Sequence, residues 1–174
     1  MIDPEKKLIL DTDVLIHFIK GEFLFSIPLV IPNDLIILDK VYNEIVQRRQ
    51  KEIIDKFIDL PSARLVQLPE EPDYVAEYAH LISTRGLCLG KGESACLVFA
   101  RFNNDILASS NHKDIRRYCD YHRIDHIDTI DILMIGFKKG NFTEKDCDNF
   151  IRNVRNKGSK LPDKSIRELM DERT

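Results

Sequence analysis

Short apolar runs that alternate with amphipathic stretches of roughly ten residues constrain this chain more than any other feature, because that rhythm belongs to parallel sheets covered by helices on both faces. Lys7-Leu8-Ile9-Leu10-Asp11 is a buried-strand pattern that stops at a carboxylate. A helical pattern follows over 14–20 and ends at Gly21. Leu35-Ile36-Ile37 reads as a second extended piece, set off by Pro28, Pro32 and Asn33-Asp34. Asp39 is placed to cap a helix carrying Val41, Tyr42, Ile45 and Val46, and 53–60 continues helically. Arg64-Leu65-Val66-Gln67-Leu68 alternates as a strand does, followed by helical patterns over 74–84 and 93–102. Asp105-Ile106-Leu107-Ala108 reads as a central strand, 112–122 as a helix and 124–127 as a last strand. From Thr129 the pattern is helical, interrupted at Gly140-Asn141 and Gly158-Ser159.

A length of 174 residues, 43% hydrophobic, suffices for one α/β domain spanning 1–174. Its core is read as 7–135, with a helical C-terminal extension over 136–174. The formal charge of −3 gives no global basic field. No apolar run approaches the ~20 residues a membrane span needs. The first residues, Met1-Ile2-Asp3-Pro4-Glu5, lack the basic and apolar regions of a secretory signal, so a cytoplasmic location is expected. Cys88, Cys96, Cys119 and Cys147 stand far apart, as expected of reduced thiols and not of a zinc site or disulfide framework.

Ligands of open α/β sheets bind beyond the carboxyl ends of the strands, so the acids there draw attention. Asp11 ends the most apolar strand, where an N-cap of the following helix is the plain reading, a job that Thr12 or Asp13 could also do. Glu93 falls within the stripe of Cys96, Leu97, Phe99 and Ala100, an inward position that is costly for a carboxylate unless it is paired or binds a cation. Glu93 also suits the first turn of a helix, where acids complement the dipole. Glu44 borders its helix's apolar face beside Val41, where a solvated glutamate is the plainer reading. Asp114 follows Ser109-Ser110-Asn111 just after a strand, another first-turn position. Converging carboxylates repel unless a divalent cation neutralises them. Oxygen donors without a His or Cys framework favour Mg²⁺ or Mn²⁺, and such a site suits phosphodiester hydrolysis.

Leu8-Ile9-Leu10-Asp11-Thr12-Asp13-Val14 resembles the opening motif of PIN-domain nucleases, with Asp13 where the family usually has Asn. Val41-Tyr42-Asn43-Glu44-Ile45 resembles the family's second acidic element. Leu89-Gly90-Lys91-Gly92-Glu93-Ser94-Ala95 is similar to its Gly-x-Gly-Glu-Ala segment. Ile106-Leu107-Ala108-Ser109-Ser110-Asn111-His112-Lys113-Asp114 resembles the fourth, although many members carry an acid where Ser110 or Asn111 stands, so either Asp114 supplies the carboxylate or the site is one ligand short.

The resemblance implies a three-layer α/β/α sandwich with a mainly parallel sheet and metal-dependent endonucleolytic cleavage of RNA. It assigns catalysis to Asp11, Glu44, Glu93 and Asp114, and binding of Mg²⁺ or Mn²⁺ to Asp11, Glu93 and Asp114. Asp13, Ser109, Ser110 and Asn111 are supporting polar groups, with Asn111 placed to hold a metal-bound water. Many small members resemble VapC-type toxins, which are inhibited by a protein antitoxin and often form homodimers.

RNA requires cations near an acidic site. Lys91, Lys113, Arg116 and Arg117 are the candidates beside it, with Arg85 near the third motif. Residues 136–160 add seven Lys or Arg against three Asp or Glu. Tyr121 is a candidate for stacking on bases, whereas Tyr118 falls on a core stripe. The five histidines show no paired ligand spacing. Two other functions fit parts of the pattern. Asp11-Thr12-Asp13 also matches the opening of haloacid-dehalogenase-like phosphohydrolases, but Ser109-Ser110-Asn111 stands where their later acidic pair is needed. The altered fourth motif also suits a non-catalytic RNA- or protein-binding module.

Overall fold

The computed structural model describes residues 2–84 and 89–173, apart from the side chain of Asp114. Arg85 and Cys88 lie outside the described residues. Strand β1 (Leu8–Leu10) pairs in parallel with β2 (Leu35–Leu38) and with β4 (Ile106–Ala108). Beyond them lie β3 (Ala63–Val66), against β2, and β5 (His126–Ile127), against β4. The order β3-β2-β1-β4-β5 makes an all-parallel sheet among the described residues, where the sequence predicted a mainly parallel one. The chain lays down β1 to β3 in one direction and then returns to the other side of β1 for β4. The gap between β1 and β4 is therefore the topological switch point, where open sheets bind ligands.

Helices flank the sheet. α6 (Lys91–Asn103) packs on β1, β2 and β4, and is surrounded by α3 (Asp39–Glu44), α5 (Pro72–Ser83) and α7 (His112–His122). That setting explains why Gly92 through Ala100 are all buried, although the sequence suggested a one-sided stripe. α1 (Thr12–Lys20) meets α4 (Arg48–Ile58), α8 (Thr129–Lys138) and α9 (Glu144–Asn156), and α8 also touches the short α2 (Ile27–Val30). α10 (Ile166–Arg173) closes over α8 and α9. The expected extension is thus helical, and its boundary at 135/136 falls inside α8.

Asp11 is the N-cap of α1, its carboxylate accepting from Thr12 N at 2.7 Å. Three local expectations differ from the structure. Asp39 is the first residue of α3, behind the N-cap Leu38, and its Oδ1 accepts from Leu68 N at 2.9 Å in place of capping the helix. α3 ends at Glu44, so Ile45 turns into the core at 2% exposure while Val46 is 87% exposed. The last strand begins at His126 because Arg123 adopts φ 56° after α7 and Ile124 N bonds back to Cys119 O at 2.9 Å. Cys96, Cys119 and Cys147 are buried free thiols. Among the described residues, no helix is long and apolar enough to cross a membrane.

Candidate active site

The switch point gathers the acids from separate elements. Asp11 leaves β1 and is 4% exposed, its backbone N–H extending the ladder to Ala108 O at 3.0 Å. Asp13 lies in the first turn of α1, where Oδ1 accepts from Val14 N at 2.6 Å and Oδ2 from Ser110 N at 2.9 Å. Glu93 occupies the first turn of α6 at 7% exposure, and its Oε1 accepts from Asn111 Nδ2 at 2.9 Å. The amide proposed to hold a water is thus directed at the third acid. Glu44 bridges two helix starts, Oε1 accepting from Gly92 N and Oε2 from Thr12 Oγ1, both at 2.7 Å. Asp11, Asp13, Glu44, Glu93 and Asn111 share one cleft of about 340 Å³.

Burial pushes the Asp11 carboxyl well above the ordinary carboxylate range, and the charges of Asp13 and Glu93 push it further. Backbone donation from Thr12 and a hydrogen bond with Ser109 work against them. Burial also raises Asp13, opposed by the Ser110 and Val14 N–H groups. The thiol of Cys96, fully buried on α6, lies within reach of the same charges. Burial lifts it first, and Asp11, Glu44, Asp13 and Glu93 all add to the rise. All four acids project their field on one point.

A polar chain supports this group. Ser110, which holds Asp13, contacts Thr129 Oγ1 through its hydroxyl at 2.9 Å, and Thr129 Oγ1 lies 2.8 Å from His17 Nδ1. His17 lines the cleft, and burial followed by the charge of Lys20 lowers its pKa to about 4, so the imidazole is neutral at physiological pH. Alongside, Asp128 accepts from Arg173 through both carboxylate oxygens, at 3.1 and 2.8 Å, and pairs with His112 Nε2 at 2.7 Å.

Of the sequence candidates, Asp11, Asp13, Glu44, Glu93 and Asn111 share the cleft, and Ser109 and Ser110 brace it. The side chain of Asp114 lies outside the described residues. Lys91, Lys113, Arg116 and Arg117 are exposed, with Arg116 loosely paired to Asp120 at 3.8 Å. Tyr121 is 81% exposed, and Tyr118 is tied to Glu77 at 2.8 Å. Sequence reasoning did not single out His17 or Ser159, which also line the cleft. His17 had a local signal, standing one helical turn after Asp13; Ser159 had none.

The donors are those a hard divalent ion prefers, and the crowding that raises Asp11 is what a cation relieves. Among the described residues, no three His, Cys, Asp or Glu side chains form a ready metal cage. Mg²⁺, however, is commonly held by one or two carboxylates with water and substrate oxygens completing its shell. Asp11 and Glu93 fit that role.

No curated protein matches the chain. A family model described as PIN domain matches residues 7–173, the C-terminal helices included. PIN domains are generally nucleases, and PIN nucleases typically use divalent metal ions. With a match over nearly its whole length and an acidic cleft at the switch point of a parallel sheet, this chain belongs to the PIN domain family.

Proposed function

We propose that the protein is a Mg²⁺- or Mn²⁺-dependent endoribonuclease that hydrolyses RNA phosphodiester bonds at the cleft between β1 and β4. The observation that carries this reading is the buried, like-charged grouping of Asp11, Asp13 and Glu93, which raises the Asp11 carboxyl. Asp11 and Glu93 would hold the ion, with Asp114 as the further ligand that the family resemblance suggests. A bound ion would supply a hydroxide-like nucleophile at neutral pH and stabilise charge on the transferring phosphorus group.

The chain's own residues set the geometry. Asn111 orients Glu93 through Oε1. Glu44, with both oxygens committed, ties the N-terminus of α6 to that of α1 and so fixes Glu93 relative to Asp11. Ser110 N holds Asp13. Lys91, Lys113, Arg116 and Arg117 would offset phosphate repulsion.

Incubating single-stranded RNA with Mn²⁺ tests the reading. Asp11→Asn and Glu93→Gln should each abolish cleavage while circular dichroism stays native, because metal affinity depends on ligand charge. Equal activity in wild type and both variants would reject this site. One observation favours a second reading, a non-catalytic RNA- or protein-binding module. Where many members carry an acid, Asn111 stands and engages Glu93. Isothermal titration with Mn²⁺ separates the two, since absence of binding dependent on Asp11 and Glu93 would support the module. A role as the toxin of a toxin–antitoxin pair, with a protein antitoxin and a homodimeric state, predicts a neighbouring reading frame for a small DNA-binding antitoxin.

A further inference from the structure

The wall of the cleft runs from the carboxylates along α1 to Ser159, beyond α9. Asp13, Ile16, His17 and Lys20 follow one side of α1, because steps of three and four residues return to the same face. The first three line the cleft. Lys20 lies roughly 10 Å further along the helix axis than Asp13, a span of about three stacked nucleotides at ~3.4 Å each. At that end the chain leaving α9 folds back, and Ser159 joins the cleft wall. Lys20 Nζ donates to Ser159 Oγ at 2.7 Å, a contact between residues 139 positions apart.

Among the described residues Lys20 has no carboxylate partner. The nearby acid Glu22 is instead paired with Lys157 at 3.1 Å, and Lys157 also donates to Lys20 O at 2.7 Å. Lys20 is half-buried, and its field reaches the imidazole of His17. A partly desolvated ammonium held by a neutral hydroxyl is a donor pair suited to a phosphate oxygen. Through Ser159 it adjoins the wall of the cleft that the carboxylates share.

We propose that Lys20 and Ser159 form a phosphate subsite that holds an RNA phosphodiester flanking the one at the carboxylates. The inference rests on the nuclease reading above. It gives the loop after α9 a direct part in substrate binding, and makes Lys157 a tether that keeps Glu22 from neutralising Lys20.

The test is steady-state cleavage of a labelled single-stranded oligouridylate in Mn²⁺ across a range of salt concentrations. Lys20→Met should raise KM roughly tenfold at low salt, with kcat nearly unchanged. The same variant should reduce the slope of log(kcat/KM) against log[salt] by about 0.7, the loss of one single-strand phosphate contact. Lys20→Arg should restore both values. Lys157→Met combined with Glu22→Gln, which loosens the tether but leaves no freed acid to neutralise Lys20, should keep the wild-type slope; a slope lowered as far as that of Lys20→Met would assign the effect to loop position and overturn the subsite. An active wild type with KM and slope unchanged in Lys20→Met would overturn the subsite alone. A wild type that neither binds nor cleaves the oligouridylate would overturn this inference together with the nuclease reading.

Discussion

Acidification should destabilise the fold through His17, by an amount the structure sets. Its imidazole is 6% exposed, bonded to Thr129 Oγ1 and near the Lys20 charge. Its pKa therefore falls from 6.5 to about 4 on folding. A group whose proton affinity is lower in the folded state leaves stability intact above its unfolded pKa. Below that value the unfolded chain takes up the proton first, and stability declines until the folded pKa is reached. At about 1.36 kcal/mol per pH unit, the gap corresponds to roughly 3 kcal/mol, a large share of a typical stability of about 5–15 kcal/mol. Asp11 and Asp13 act with the opposite sign because their carboxyls are raised. The quantity to measure is therefore the difference between wild type and His17→Gln in urea melts from about pH 7 to about pH 4. Wild type should lose roughly 3 kcal/mol relative to the variant across that window. Parallel profiles would mean that His17 protonates freely in the folded protein, and the argument for a desolvated, cationic end of the cleft would fail.

Asp11→Asn should raise stability at neutral pH by about 1–2 kcal/mol, as removal of a strained functional charge commonly does. The gain should fade as pH falls from the raised pKa of folded Asp11 to the ordinary carboxylate value, and be absent below it, where wild-type Asp11 is protonated in both states; in calorimetry Mn²⁺ should stabilise wild type but not the variant. Gly92→Ala would place a Cβ 2.5 Å from Glu44 Oε2 and 2.9 Å from Cδ, so the exposed Glu44 chain must swing away. Alanine's helix preference of about 1 kcal/mol offsets the lost contacts, so melting should change little while kcat falls roughly tenfold to a hundredfold. Arg173→Met should cost about 2 kcal/mol, because it strips the guanidinium from a buried Asp128 that retains only His112 and Asp131 N. Burial raises the Asp128 carboxyl, but Arg173, Asp131 N and His112 bring it down to about 2. The difference in melting between Arg173→Met and wild type should therefore be full above about pH 4 and close as pH falls toward about 2.

Local patterns made much of the fold legible. The break at Gly21 ends α1 because the last-turn carbonyls close on its N–H, and the pattern over 112–122 coincides with α7. The inward position of Glu93 was readable from its neighbours on the helix, and it is buried. Glu44 was not readable in this way: its exposure fits a solvated glutamate, and its role rests on Gly92 N, 48 residues away. The helical pattern from Thr129 was readable, but nothing near it announced that Asp128 would cap the helix and meet Arg173, 45 residues on.

Taken alone, the sequence determined the strand-helix rhythm, the parallel sheet and the identity of the acids, because periodicity and capping depend on residues within a few positions of one another. Only the tertiary structure decided that Ser110 N would hold Asp13 from 97 residues away, or that Ser159 would complete the wall of the cleft from the far end of the chain. The physical reason is that helix and strand patterns record which face is buried, while pKa values and ion pairs depend on which charge lies opposite, and that is fixed only when the strand order brings β1 beside β4.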